Sequence, residues 1–360
     1  MFLFLGGMNS MEKISVAVIF GGCSNEYEVS LQSAYSVLSH MDLDKYELTL
    51  IGITKAGAWY KYNGSLDNIQ QDKWWSDKEN CISVSFSPNR YDNKLIEYKQ
   101  GQLIETTIDI VFPVLHGKNG EDGTLQGYLE LIGIPFVGCD TFSSALCMDK
   151  DSAHKLVEHE GIRTPASIVF TKRQIKEQIA TATKKLHYPL FVKPVKSGSS
   201  IGITLVKEEK ELPKAIAAAF CHDERVIVEE LIEGFEVGCA ILGNDELLIG
   251  EVDEIELEKG YFDFNEKYSL ATSRIHMPAR IDADTALKVK RTAKKIYRTL
   301  GCRGLARVDM FITKNQDIVF NEVNTFPGFT DHSRYPNMMK GIGLTFSAII
   351  DKVIQLGLER

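Results

Sequence analysis

No stretch of the 360 residues is apolar for the length a membrane span needs, no CxxC pair occurs, and no segment repeats or falls into low complexity. Positive charge is also in short supply: 41 Lys and Arg face 49 Asp and Glu, a formal net charge of −8. A nucleic acid as main partner needs a basic face, so the balance argues against one and leaves only local basic residues to cradle a nucleotide. The seven cysteines, Cys23, Cys81, Cys139, Cys147, Cys221, Cys239 and Cys302, are odd in number and scattered. That pattern speaks for small buried hydrophobes in a reducing cytoplasm rather than a disulfide frame or a zinc site. The opening Met1-Phe2-Leu3-Phe4-Leu5 is apolar but has no basic flank and is too short to cross a bilayer. Residues 1–12 read as a disordered extension or as the product of an upstream start codon, with Met11 the alternative start.

A chain of this length exceeds one ordinary core and suggests two or three domains. Ile14 to Phe20 reads as a buried strand ending at Gly21-Gly22, followed by an amphipathic helix from about Glu28 to His40, a strand over Tyr46–Ile53, another over Ile108–Leu115 and a helix over Gly123–Ile132. Such strand–helix alternation predicts a doubly wound parallel sheet. Residues 60–107, with Trp74 and Trp75, read as an irregular insertion. One helix is predicted over Ser143–His159, and Gly161-Ile162-Arg163-Thr164-Pro165 then punctuates the chain as a boundary would. A compact α+β stretch follows to Glu230. From Gly238 onward longer strands, a helix over Ala283–Leu300 and a terminal helix over Gly343–Leu358 suggest a third, sheet-centred domain.

The most informative stretch is Arg307-Val308-Asp309-Met310-Phe311 with Phe320-Asn321-Glu322-Val323-Asn324. Read as adjacent strands, these segments set Asp309, Glu322 and Asn324 on one face, since alternate residues of a strand point the same way. Two carboxylates and an amide oxygen are hard donors of the kind Mg²⁺ takes. On spacing alone, a salt-bridged polar sheet face is the simpler reading. Lys193-Pro194-Val195-Lys196-Ser197-Gly198-Ser199-Ser200 offers hydroxyls, flexible amides and a lysine to phosphate oxygens, though most such turns are only turns. Glu229 and Glu230 close a strand where they could meet an adenine amino group or a ribose hydroxyl, or simply solvent. Glu26, where a helix opens, suits an ammonium better than a phosphate. His116 begins a loop, through Glu121, at the carboxyl edge of the predicted sheet, where ligands bind in such folds. Tyr261 to Tyr268 mixes aromatics with charges in the manner of a lid. Asn324-Thr325-Phe326-Pro327-Gly328 is a tight turn that could aim a backbone N–H at the same face as Arg307, making an oxyanion hole.

GGCSNEYEVSLQS, HGKNGEDGTLQG, MDK, KPVKSGSS, EKY, RVDMF and NEVNTFPGFTDHS follow one another in this order. Together, from about residue 13 to the C-terminus, they resemble the ATP-grasp D-alanine–D-alanine ligase family. The resemblance implies an ATP-grasp architecture: an N-terminal substrate domain over 13–140, a small central ATP-binding domain over 141–237, and a catalytic domain over 238–360 with a lid loop over 258–274. It implies two steps, phosphorylation of a D-alanine carboxylate by ATP, then attack by a second amine through a tetrahedral intermediate. Asp309, Glu322 and Asn324 would hold two Mg²⁺ ions, with Mn²⁺ the alternative. Lys150, Lys193, Ser200 and Lys267 would meet ATP phosphates. Glu229, Glu230, Ile232 and Glu236 would line the nucleoside. Glu26, Ser199 and Tyr268 would form the family's hydrogen-bonded triad, with Glu26 on the first D-alanine's ammonium. His116 and Glu121 would lie by the first substrate, and Arg307 with the Gly328 N–H would face the oxyanion. The family also implies a cytoplasmic homodimer joined through the N-terminal domain.

The choice of second substrate rests on fewer residues. Ligases that use D-lactate carry a lid His where this chain has Glu266-Lys267-Tyr268, so the resemblance favours an amine nucleophile. The D-alanine enzymes usually place an aliphatic residue after the His-Ser pair, whereas Arg334 follows His332-Ser333 here. Arg334, with Asp253 and Phe262, resembles the VanG-type D-alanine–D-serine ligases of vancomycin-resistance clusters. A D-serine hydroxyl needs a polar partner, and Asp253 with Arg334 would supply it. The alternatives are a housekeeping D-alanine–D-alanine ligase with Arg334 on the surface, and an idle ATP-grasp regulatory protein. An idle protein should have lost a metal ligand or the oxyanion arginine, and this chain keeps both. Other ATP-grasp carboxylate–amine ligases should lack the set Glu26, Ser199 and Tyr268.

Overall fold

The computed structural model describes residues 13–173, 178–179, 181, 184–198, 201–257 and 273–360. The expected extension over 1–12 and all of the lid up to residue 272 lie outside them.

The first sheet has a parallel heart, β1 (Ile14–Gly21) flanked by β2 (Tyr46–Ile53) and β7 (Ile110–Val114). Val16 to Phe20 are wholly buried, as a strand covered on both faces must be, which is why this segment reads as a continuous apolar run. Helix α1 (Tyr27–His40) follows β1 and turns Tyr27, Leu31, Ala34, Val37 and Leu38 inward. The segment expected to be irregular is instead an antiparallel meander. Strands β3 (Trp59–Tyr62), β4 (Cys81–Phe86), β5 (Lys94–Lys99) and β6 (Gln102–Thr107) extend the sheet in the order β6-β5-β4-β3-β2-β1-β7. β6 is exposed along nearly its whole length and so shows no apolar alternation. Trp74 is the anchor of the insertion. It is fully buried against Gly52, where a Cβ would stand 2.5 Å from the indole, and its Nε1–H donates to the Tyr27 hydroxyl at 2.9 Å.

The single helix expected over Ser143–His159 is two, Thr141–Met148 and Lys150–His159. Asp149 breaks it with extended backbone, and its carboxylate caps the second helix by accepting from the Ser152 N–H at 3.0 Å. The cap places Lys150 at the first position of the new helix.

A second sheet, antiparallel, runs β10-β9-β11-β8, from β8 (Ser167–Thr171), β9 (Leu190–Pro194), β10 (Thr204–Val206) and β11 (Arg225–Glu230). The third runs β14-β13-β12-β15-β16, from β12 (Gly234–Leu242), β13 (Leu248–Leu257), β14 (Ser273–His276), β15 (Leu305–Thr313) and β16 (Ile318–Asn324). Ser273 and Arg274, expected within the lid, belong to β14. The first and third sheets share a core in which Val18, Phe112 and Val114 join Ala240, Phe326, Phe329, Tyr335 and the terminal helix Phe346–Leu358. A short helix, Arg334–Lys340, was absent from the sequence reading. It sits on β12 and β13 and opens with Arg334.

Candidate active site

A cavity of about 1150 Å³ lies where the three sheets meet. Its wall includes Glu26, His116, Glu121, Lys150, Lys193, Glu229, Glu230, Ile232, Glu236, Arg307, Glu322, Asn324, Gly328, Ser333 and Arg334. Asp253 and Asp309 lie just behind it, each 1% exposed. Ser199, Ser200, Phe262, Lys267 and Tyr268 lie outside the described residues.

The third sheet supplies the charged floor through its register. Asp309 stands opposite Glu322, and Arg307 opposite Asn324. A bulge between Asp309 and Met310 leaves Asn321 as the extra residue, which keeps Glu322 and Asn324 on the Asp309 face. The Arg307 guanidinium grips Asp309, with Nε donating to Oδ1 at 2.8 Å and Nη2 to Oδ2 at 2.8 Å. Asn324 Nδ2 also donates to Asp309 Oδ2 at 2.8 Å. Burial works against the Arg307 charge, but Asp309 prevails and raises its pKa above the ordinary arginine value. Among the described residues no three His, Cys, Asp or Glu side chains form a metal cluster. Asp309, Glu322 and Asn324 fit a hard cation instead as two carboxylates and one amide set side by side by strand register.

Arg334 completes this floor. Its Nε and Nη2 donate to the two oxygens of Asp253, each at 2.8 Å, and its Nη1 donates to Glu236 at 3.1 Å. Nη2 also stands 3.5 Å from Asp309 Oδ1. The side chain is 11% exposed, so the surface-arginine alternative is overturned. Asp253 wins it there: a bidentate carboxylate offsets the desolvation of a buried guanidinium.

Lysines from two other elements line the middle of the cavity. Lys150 Nζ donates to the Ser197 carbonyl at 2.7 Å and lies 3.4 Å from Glu322 Oε2. Lys193 Nζ lies 2.6 Å from Glu229 Oε2. Burial alone would push the Glu229 carboxyl up; Lys193 and His154 reverse this and leave its pKa below the usual carboxylate value. Glu230 turns partly aside, accepting from the Ala166 N–H at 3.0 Å.

Loops build the opposite end. Glu26 immediately precedes α1 and is 8% exposed. Its carboxylate sits so near Gly117 and Gly198 that a Cβ on either would meet it, at 2.1 and 3.2 Å. His116 is fixed on both ring nitrogens, Nε2 with Ser33 Oγ at 3.0 Å and Nδ1 with the Phe326 carbonyl at 3.2 Å. Glu121 Oε1 lies 3.9 Å from Nδ1, and the other Glu121 oxygen accepts from the Gly117 N–H at 2.9 Å. Burial disfavours the imidazolium, yet Glu121, Glu26 and the Phe326 carbonyl together raise the His116 pKa.

Four contributors escaped the sequence reading. Ser33 is seven residues after Glu26, on the same face of α1, and helical spacing alone could have flagged it. Ser24 donates to the His116 carbonyl at 2.7 Å. His154 Nε2 donates to the Asn321 carbonyl, 2.7 Å away, and its Nδ1 faces Glu229 at 3.7 Å. Gly238, beneath Arg334, has no side chain to announce itself.

Models of the two halves of one family match this chain, the D-ala D-ala ligase N-terminus over residues 15–139 and its C-terminus over residues 156–355. The chain belongs to the D-alanine–D-alanine ligase family. It is an ATP-dependent ligase with the family's mixed α/β fold. The crystal structure of VanG D-Ala:D-Ser ligase from Enterococcus faecalis superposes with a TM-score of 0.90 at 56% identity, covering 96% of this chain and 100% of that one. The vancomycin B-type resistance protein VanB of Enterococcus faecalis is 45% identical over 355 residues, 97% of this chain and 100% of that protein. A D-alanine–D-alanine ligase of Caldicellulosiruptor bescii is 42% identical over 355 residues, 97% of this chain and 96% of that protein. The relatives' names thus divide over the second substrate, and the ligase's own pocket has to decide it.

Proposed function

We propose that this ligase joins D-alanine to D-serine, producing D-Ala-D-Ser for modified peptidoglycan precursors of the kind that confer glycopeptide resistance. The observation that carries the reading is the buried ion pair of Arg334 with Asp253 beside Glu236. An apolar pocket barely distinguishes D-serine from D-alanine, because one hydroxyl adds little there. A wall formed by Arg334 and Glu236, with Asp253 holding the guanidinium from behind, offers a hydroxyl a polar partner that a methyl cannot use. The likeness to the VanG D-Ala:D-Ser ligase supports the same choice.

The roles follow from position. Glu26 receives the ammonium of the first D-alanine, and His116, held above its ordinary pKa, meets that substrate's carboxylate. Lys150 and Lys193 give point charges to ATP phosphates, and Glu229, Glu230, Ile232 and Glu236 border the nucleoside. Asp309, Glu322 and Asn324 would hold Mg²⁺, which when bound neutralises the charge of the transferring phosphoryl group. Arg307, locked by Asp309, presents a fixed guanidinium to the cavity with the Gly328 turn, suited to the oxyanion of the tetrahedral intermediate.

The test is a competition. The ligase is given ATP, Mg²⁺, limiting D-alanine and equal D-serine, and its dipeptides are separated by mass. Mostly D-Ala-D-Ser is expected. Mostly D-Ala-D-Ala would return the protein to housekeeping wall synthesis.

A further inference from the structure

We infer that Gly238 is a specificity-determining position, a notch in the sheet that exists to seat Arg334; the inference rests on the D-serine reading above. Gly238 lies in the middle of β12, paired with Asp253 of β13 on one side and Asp309 of β15 on the other. Residues directly opposite in antiparallel strands share a face. Asp253, Gly238, Asp309 and Glu322 therefore form one row across four strands, with a glycine standing between two aspartates.

A glycine inside a strand weakens it unless something needs the room. The backbone at Gly238 itself does not call for one: Gly238 is absent from the positive-φ residues and is paired on both sides, and the register shift between β12 and β13 falls only after Cys239. The room is taken by the guanidinium. A Cβ at Gly238 would stand 2.3 Å from Arg334 Nη2, 2.7 Å from Asp253 Oδ1 and 2.8 Å from Met338 Cε. The Gly238 N–H also donates to Asp253 Oδ1 at 3.0 Å, fixing the carboxylate that Arg334 grips.

Arg334 lies over the notch, touching Asp253 on one side, Asp309 on the other and Glu236 two residues back along β12. Its position is therefore set by the missing side chain as much as by the carboxylates. Any larger residue at 238 lifts the guanidinium off Asp253 and into the space of the second substrate. Gly238 acts through Arg334 and is a positioning residue.

The experiment uses the whole enzyme in three variants, Gly238→Ala, Arg334→Leu and the two combined, each given equal D-serine and D-alanine as acceptors. Gly238→Ala should lower the D-Ala-D-Ser to D-Ala-D-Ala product ratio by about tenfold or more. The combined variant should show the ratio of Arg334→Leu alone, because the notch has then lost its occupant. A wild-type ratio in Gly238→Ala, alongside a changed one in Arg334→Leu, overturns the inference and leaves the D-serine reading standing. An unchanged ratio in Arg334→Leu removes both. If Gly238→Ala fails to fold, the combined variant decides: recovery of its melting temperature to that of Arg334→Leu supports the notch, and failure of both overturns it.

Discussion

The two ends of the cavity are made by different means. At one end, strand register fixes the carboxylates: Asp253, Asp309 and Glu322 fall in one row, and Arg307 from β15 and Arg334 from the short helix are locked onto them by bidentate pairs. At the other end, three groups from two loops, Glu26 on one and His116 and Glu121 on the other, meet through Ser24, Ser33 and the Phe326 carbonyl. The first end holds arginines, whose guanidinium charge is permanent, gripped by carboxylates. The second holds a histidine and a buried glutamate whose pKa values both move upward. Rigid charge thus belongs to the strand end and proton-dependent charge to the loop end.

The strongest way to break that contrast is Asp309→Ala. The change takes the carboxylate from Arg307 and the cross-strand partner from Glu322, and it removes the negative charge shared by two buried guanidiniums. Turnover should fall by about a thousandfold or more. Near-normal rates with Mg²⁺ present would refute both the metal assignment and the oxyanion role given to Arg307. Glu229→Gln probes the middle of the cavity, where it strands Lys193 in a buried setting. A loss of about 3–5 kcal/mol in unfolding free energy is expected from denaturant titration, as for a buried pair broken on one side. A loss below about 1 kcal/mol would mean that water already reaches the lysine.

Arg334→Leu sharpens the comparison within the strand end, separating selectivity from chemistry. It removes a partner of Asp253 and Glu236 but not the grip of Arg307 on Asp309. The dipeptide ratio should move toward D-alanine by about ten- to a hundredfold, while total turnover changes less. An unaltered ratio would place selectivity outside this pair.

The strand end was also the more readable. Period two in a strand is strict, so Asp309, Glu322 and Asn324 could be set on one face from their spacing, and β15 and β16 pair as that requires. What spacing could not show is which strands lie side by side. The row from Asp253 to Glu322 joins residues 69 positions apart, and Gly238 enters it only through pairings on both sides. The meander over 59–107 was hidden because β6, an edge strand, has no buried face to create a pattern. The break at Asp149 was missed because a capping aspartate inside a helical run looks like any polar residue. The loop end was legible mainly through family resemblance, since loop contacts have no period.

The smallest expected effect tests the loop end. His116 has its pKa raised above 6.5 by Glu121 and Glu26, which outweigh its burial, and Glu121 is itself raised chiefly by burial. A group raised in the folded state adds stability that is complete below its unfolded pKa and is lost as pH climbs through the folded one. Both groups push the same way, so stability should decline as pH rises, for Glu121 from the ordinary carboxyl range upward and for His116 from about 6.5 upward, and first-substrate affinity should fall as the His116 proton is lost. His116→Gln keeps a hydrogen-bonding side chain near Ser33 and the Phe326 carbonyl but cannot take up the proton. Its KM for the first D-alanine should be a few-fold higher than wild type at the low end of the pH range and converge with it only once pH has passed the raised His116 pKa, which is about 1 kcal/mol of charge-assisted binding. Measuring that KM from pH 6 to 9 in both enzymes gives the answer. Parallel curves would show that His116 works as a neutral hydrogen-bonding group, and the loop end would then owe nothing to its histidine proton.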